Sequence, residues 1–318
     1  MAYYDATAGW GSALGLSDAD INKKMLAYLE DALKHPTPAA YRVHAYALVW
    51  QFKFDQAIAE LERAIALDPS DANSYAAMGE ALIDAGRTAD GKGYIDAAFR
   101  LDPRSVMWRH YYEGLVYFSL NQFEAAAAAL RKDRSTVNTM TLELSSYGHL
   151  GRSSEAASLL QELNDHNAKL GWPKMTVLFT RGFWQFRENA DRERLLDGLR
   201  KAGVPELPPD YDTKRKDELT GEEVKSLAFG HEFRGQQIGS GDAYSRTTSA
   251  DGVANVSIGS WFRDAGISHV EDDALCTWFS TAGYGCAVIF RNPAGTFEQK
   301  NQYIWVTPEL QLEFSVVK

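Results

Sequence analysis

The sequence predicts a two-part α + β chain: an all-α solenoid of four to five helix pairs with a cap helix, then a small antiparallel β barrel or sandwich. Three observations predict it. Leu-Asp-Pro endings at Pro69 and Pro103 recur 34 residues apart, within units that match along their length. At residue 203 the composition changes, and a breaker cluster begins, Val204-Pro-Glu-Leu-Pro-Pro-Asp. Beyond Gly230, short runs rich in β-branched and aromatic residues alternate with Gly, Asn, Asp and Pro. The expected divisions are an N-terminal extension over 1–17, the solenoid over 18–203, a linker with a short helix over 204–229, and the β domain over 230–318.

The element order begins at Asp18–His35, where Ile21, Met25, Leu29 and Leu33 recur every four residues. That spacing predicts an amphipathic helix, suited to capping a stack. Tyr41–Pro69 and Tyr75–Pro103 then align slot for slot. Tyr41, Ala45, Leu48, Ala57, Leu61, Ala64 and Pro69 in the first unit answer to Tyr75, Gly79, Leu82, Gly91, Ile95, Ala98 and Pro103 in the second. Small residues belong where two antiparallel helices cross closely, and bulky ones beside the crossing. Proline ends the second helix because it cannot continue the hydrogen-bond ladder. Two weaker units follow. One keeps Gly114, Tyr117, Phe123, Ala126 and Leu130; the other keeps Tyr147, Ala156 and Leu160. A fifth pair is expected over Pro173–Phe186 and Arg192–Ala202, ending at a left-handed Gly203.

These slots, with the Phe123-Glu-Ala-Ala and Ser154-Glu-Ala-Ala helix starts, resemble the tetratricopeptide repeat. The resemblance implies stacked helix hairpins whose first helices line a concave groove for a protein or peptide partner. Mapped onto this chain, the groove slots are Arg42, Tyr46, Trp50, Asn73, Ala77, Glu80, Asp84, Trp108, Tyr111, Leu115, Asn138, Thr141 and Ser145. The same aromatics also suit repeat-to-repeat packing. In the clamp variety that holds a carboxylate, basic and Asn residues fill fixed slots. Here Arg42 fits one, but Tyr46 stands where Asn should, and Glu80 would repel the carboxylate, so the clamp is not expected.

In the linker, Tyr211–Leu219 is charged and reads as exposed. Thr220 and Glu223 form a capping box ahead of a short helix. Strands are expected at Ala243–Thr248, Val253–Gly259, Gly259–Asp264, Ala274–Ser280, Cys286–Arg291, Gln302–Val306 and Leu312–Val317. Segments such as Ser146-Tyr-Gly-His-Leu-Gly-Arg, Leu195-Leu-Asp-Gly-Leu-Arg-Lys-Ala-Gly, Gly259-Ser-Trp and Tyr303-Ile-Trp-Val are similar to the repeat region and small β domain that follow the catalytic domain in bacterial class III adenylate/guanylate cyclases. The resemblance covers roughly 25–318. No catalytic domain with two metal-binding aspartates stands ahead of it, so cyclase activity is not expected.

Composition narrows the function further. A net charge of −10 disfavours a phosphate backbone, so nucleic acid is not an expected partner. No apolar stretch approaches the ~20 residues that span a bilayer, and the first ten residues lack a secretory signal's basic start and apolar core. Two cysteines make no disulfide framework, which makes a cytoplasmic chain the expectation. The motifs of nucleotide, hydrolase and metalloprotease sites are missing from the sequence. A non-enzymatic chain is therefore expected, with no cofactor and no metal.

Two local features remain open. Cys276 and Cys286 flank an expected hairpin and read as reduced core thiols, as a disulfide, or as half of a zinc site that lacks CxxC spacing and a His pair. Gly259-Ser-Trp261 resembles the base of a lipocalin-like ligand pocket, or else supplies a buried Trp that plugs a small core. The leading expectation is an adaptor. The alternative is a small-molecule or lipid sensor, which requires an enclosed apolar cavity in the β domain. Glu271-Asp272-Asp273 reads as a solvated turn.

Overall fold

The computed structural model describes residues 27–104, 109–212, 215–279, 283–293 and 302–317. The expected extension over 1–17, most of the expected cap helix and Trp108 lie outside these residues; 27–32 are helical. Two compact units emerge. One comprises the residues up to Val177 together with Trp184–Val204, and the other Leu178–Phe183 together with Pro205 onward.

In the first unit the repeats become helix hairpins: α1 (Pro38–Trp50) with α2 (Phe54–Leu67), α3 (Ala72–Asp84) with α4 (Thr88–Leu101), α5 (Arg109–Ser119) with α6 (Phe123–Leu130), and α7 (Val137–His149) with α8 (Ser153–Leu170). Caps start the first helices. The side chains of Thr37, Asp71 and Thr136 accept from Ala40 N, Asn73 N and Thr139 N, and Pro38 sits where a missing N–H costs nothing. The hairpin turns share a device not readable as a motif. Phe52, Gly86, Asn121 and Gly151 each adopt positive φ, five residues ahead of the small second-helix residue. At Gly86 and Gly151 the missing Cβ makes that conformation free of strain.

The small slots act at the crossings. A Cβ on Gly79 would lie 2.8 Å from the Gly91 carbonyl oxygen, and one on Gly114 would overlap Leu130. Gly148 instead meets α10 (Asn189–Lys201): its Cβ would overlap the Gly198 carbonyl oxygen and lie 2.8 Å from Ala202 N. Backbone cannot swing aside as a side chain can. Gly148→Ala is therefore expected to destabilise the helical unit towards the top of the ~1–3 kcal/mol range for overpacking, read by urea denaturation. Gly203 is left-handed after α10, at φ 85°.

The fifth hairpin departs from expectation. Its first helix, α9 (Val177–Phe183), falls almost entirely in the second unit, while α10 packs on α7. The expected linker is likewise built into the second unit. Tyr211 and Leu219, read as exposed, are buried; Leu219 N donates to Ile289 O at 2.8 Å. After α11 (Pro209–Asp212) and a 3-10 turn over Arg215–Asp217, the capping box of Thr220 and Glu223 starts α12 (Gly221–Ala228). Val224 and Ala228 of α12 enter the β core.

The β domain is a closed antiparallel meander, β1 (His231–Gln237), β2 (Ala243–Thr248), β3 (Val253–Ile258), β4 (Phe262–Glu271), β5 (Ala274–Phe279), β6 (Gly283–Arg291), β7 (Tyr303–Val306) and β8 (Gln311–Val317), with β8 paired to β1. Closure leaves no free sheet edge. An eight-stranded barrel has an interior just wide enough for side chains to fill. Here Phe233, Tyr244, Ile258, Leu275, Ile289, Trp305 and Phe314 fill it. These side chains lie in the interior, where the enclosed cavity of a sensor is expected. Trp261 corrects both readings offered for it: it is 56% exposed beside the β3–β4 turn, its Nε1 donating to Asp242 at 3.2 Å.

A charged side chain, Arg246, also lies inside the barrel. Arg246 is 1% exposed; it donates to Thr248 Oγ1 at 3.0 Å, Ser268 Oγ at 2.6 Å and Thr277 Oγ1 at 2.9 Å, and stacks over Trp305 at 4.9 Å. Hydroxyl dipoles and an aromatic face thus replace its water shell. Glu271, expected in a solvated turn, is buried and pairs with Arg181 of α9 at 3.0 Å.

Candidate functional site

The first helices α1, α3, α5 and α7 adjoin in series and form one face of the helical unit. The expected groove residues divide there into two groups. Several are committed to structure. Arg42 pairs with Asp71, the cap of α3, and donates to Ser74 at 3.2 Å, so it staples one repeat to the next. Ala77, Leu115, Thr141 and Ser145 are buried, and Ser145 Oγ donates to Leu195 O on α10 at 2.9 Å. Asn73 is exposed, and Trp50 and Asn138 are partly buried.

A second group converges. Tyr46 of α1 and Tyr111 of α5 both donate to Glu80 of α3, at 3.3 and 2.7 Å. Three successive first helices thus meet at one carboxylate. Asp84 follows one turn later on the same helical face. The chain after α9 returns to this point, with Arg187 N donating to Asp84 O at 2.8 Å. Asp191, at the start of α10, adds a third acidic side chain and is itself paired to Arg194 at 2.6 Å.

The electrostatics are unusual. Glu80 and Asp84 are only partly buried as residues, yet desolvation is the largest influence on each and raises both carboxyls above their ordinary range. The tyrosine hydroxyls pull Glu80 back down, whereas for Asp84 the charges of Glu80 and Asp191 push further up. Burial and the neighbouring carboxylates also raise Tyr111 well above its ordinary value, which keeps it a neutral donor. Among the described residues neither Glu80 nor Asp84 forms an ion pair. Glu143, by contrast, is fully buried and held by Nε and Nη2 of Arg134. Glu80 and Asp84 were legible as groove slots. That no described cation pairs with them was not, because it depends on what surrounds them.

In the barrel, Cys276 and Cys286 face each other across β5 and β6 and are joined as a disulfide. The structure therefore selects the bridge over the reduced thiols.

The comparisons agree with the helical half. A TPR repeat family model matches residues 47–86, from within α1 to the turn after α3. Such repeats mediate protein–protein interaction, which supports an adaptor role in general terms. No curated protein sequence matches the chain. Among the described residues, no helix is long and apolar enough to cross a membrane.

Proposed function

We propose that this protein is a non-enzymatic adaptor whose first-helix face binds an extended peptide segment of a protein partner, with a lysine or arginine of that segment seated at Glu80 and Asp84. One observation carries the proposal: two desolvated carboxylates, one turn apart and flanked by tyrosines, have no cationic partner among the described residues. Like charges at that spacing destabilise a helix, and a partner's basic side chain reverses the sign. Tyr46, only partly buried, adds rigid aromatic surface of the kind that dominates binding energy, while buried Tyr111 fixes the Glu80 carboxylate from within the fold. The similarity of several segments to the regions that follow cyclase domains makes a cyclase-type signalling protein the partner class to try first.

The test is an array of short peptides with and without central Lys or Arg, probed with the full chain. Bound peptides are expected to share a basic residue, and Glu80→Lys is expected to erase that preference while the helical circular dichroism is kept. An array without any basic preference would refute this reading.

A further inference from the structure

We propose that the outer face of the barrel, once its disulfide is reduced, holds a zinc ion on Cys276, Cys286, His269 and Glu271. The strand register carries the inference. His269 of β4 pairs with Cys276 of β5, which pairs with Cys286 of β6, so the three stand in one row across adjacent strands. Glu271 lies two residues beyond His269 and shares its face of the sheet. One ligand atom from each of His269, Glu271 and Cys276 falls within 4.8 Å of the others, and Cys286 Sγ is bonded to Cys276 Sγ. A tetrahedral zinc ion with bonds of about 2.0–2.3 Å needs its ligands about 3.3–3.8 Å apart. Side-chain rotation covers that difference.

The surroundings fit a metal site. Cys276 and Cys286 are 0% and 4% exposed, and half-exposed His269 opens the cluster to solvent. Arg181 donates to Glu271 Oε1 at 3.0 Å, an outer-shell contact of the kind that orients metal ligands. Tyr284 Oη lies 3.2 Å from both His269 Nε2 and Glu271 Oε2; the ion would replace this hydroxyl as their common partner. Two sulfurs and an imidazole select zinc over calcium or magnesium. The absence of CxxC spacing argued against zinc in the sequence, but the barrel supplies its ligands from three strands instead.

The chemistry balances. A dithiol reductant donates two electrons and two protons to the Sγ–Sγ bond, leaves two thiols and becomes a disulfide itself. Each thiol then loses its proton on binding zinc.

The experiment uses the full chain, reduced with a phosphine (oxidised in turn to its oxide) and freed of metal. Cobalt(II) is added as a spectroscopic probe, then zinc. The reduced chain is expected to bind one ion, with the visible bands and thiolate charge-transfer absorption of tetrahedral cobalt, which zinc abolishes. The oxidised chain and the double variant Cys276→Ser, Cys286→Ser are expected to show neither. His269→Ala is expected to weaken zinc binding at least about tenfold. A reduced chain that keeps its β-sheet circular dichroism but binds no cobalt overturns the proposal. So does an unchanged spectrum in the double serine variant or in His269→Ala. If reduction unfolds the barrel, zinc must restore it, and failure to do so is equally fatal.

Discussion

Arg134→Met is expected to lower the stability of the helical unit by about 3–5 kcal/mol, the range for breaking a buried pair by removing one partner. Arg134 Nε and Nη2 donate to the two oxygens of Glu143 at 2.7 and 2.6 Å, and Tyr147 adds a third hydrogen bond at 2.7 Å. The Glu143 side chain is 0% exposed, whereas that of Arg134 is 32% exposed. The arginine therefore keeps part of its water, while the carboxylate loses all of it and depends on the guanidinium. This hydrogen bonding also holds Arg134 above its ordinary pKa. The double variant Arg134→Met, Glu143→Leu removes both charges and is expected to recover most of the loss. Urea denaturation of the two singles and the double closes the cycle. A loss below about 1 kcal/mol in Arg134→Met would show that the carboxylate is not dependent on its arginine.

What the sequence made legible follows from which forces act locally. The helical hairpins were readable because small residues recur where helices cross, and because Leu-Asp-Pro stops the second helix of the first two hairpins. Periodicity says that a helix forms, not which surface covers it, so α9 read as part of the solenoid although Leu178–Phe183 belongs to the barrel unit. Strand β1, HEFRGQQ, carries too few apolar residues to stand out. It exists because β2 and β8 pair with it on both sides, and a Cβ on its Gly235 would overlap the Glu313 carbonyl oxygen. Buried Arg246 inverts the usual polar-out pattern of β2, and its hydroxyl partners come from β2, β4 and β5. For the sites, Tyr46, Glu80 and Tyr111 could be placed on one face by the repeat. Their convergence on a single carboxylate could not, nor could the approach of His269 and Glu271 to the cysteine pair. Each of those contacts depends on a register or crossing that no single segment encodes.

Converting Glu80 and Asp84 together to Gln and Asn is expected to stabilise the chain at neutral pH and to abolish partner binding. Both carboxyls titrate higher in the folded chain than their ordinary values of 4.5 and 3.8. Above those values the folded state therefore binds more protons than the unfolded state does. Stability contributed by these groups is complete below the ordinary values and is lost as pH rises through the folded ones. The amides do not titrate, so this fall should vanish from a plot of stability against pH, with the gain appearing on the neutral side. Tyr46 and Tyr111 keep an oxygen to donate to. Binding should move the other way: removing the acidic half of a desolvated charge contact costs at least about 2 kcal/mol, roughly thirtyfold in affinity for a basic peptide. Opposite signs for stability and binding are the mark of charges kept for a partner at the expense of the free fold. If the double variant is less stable at neutral pH, or binds basic peptides as well as the parent does, these carboxylates serve the fold and the partner-binding face must be sought elsewhere.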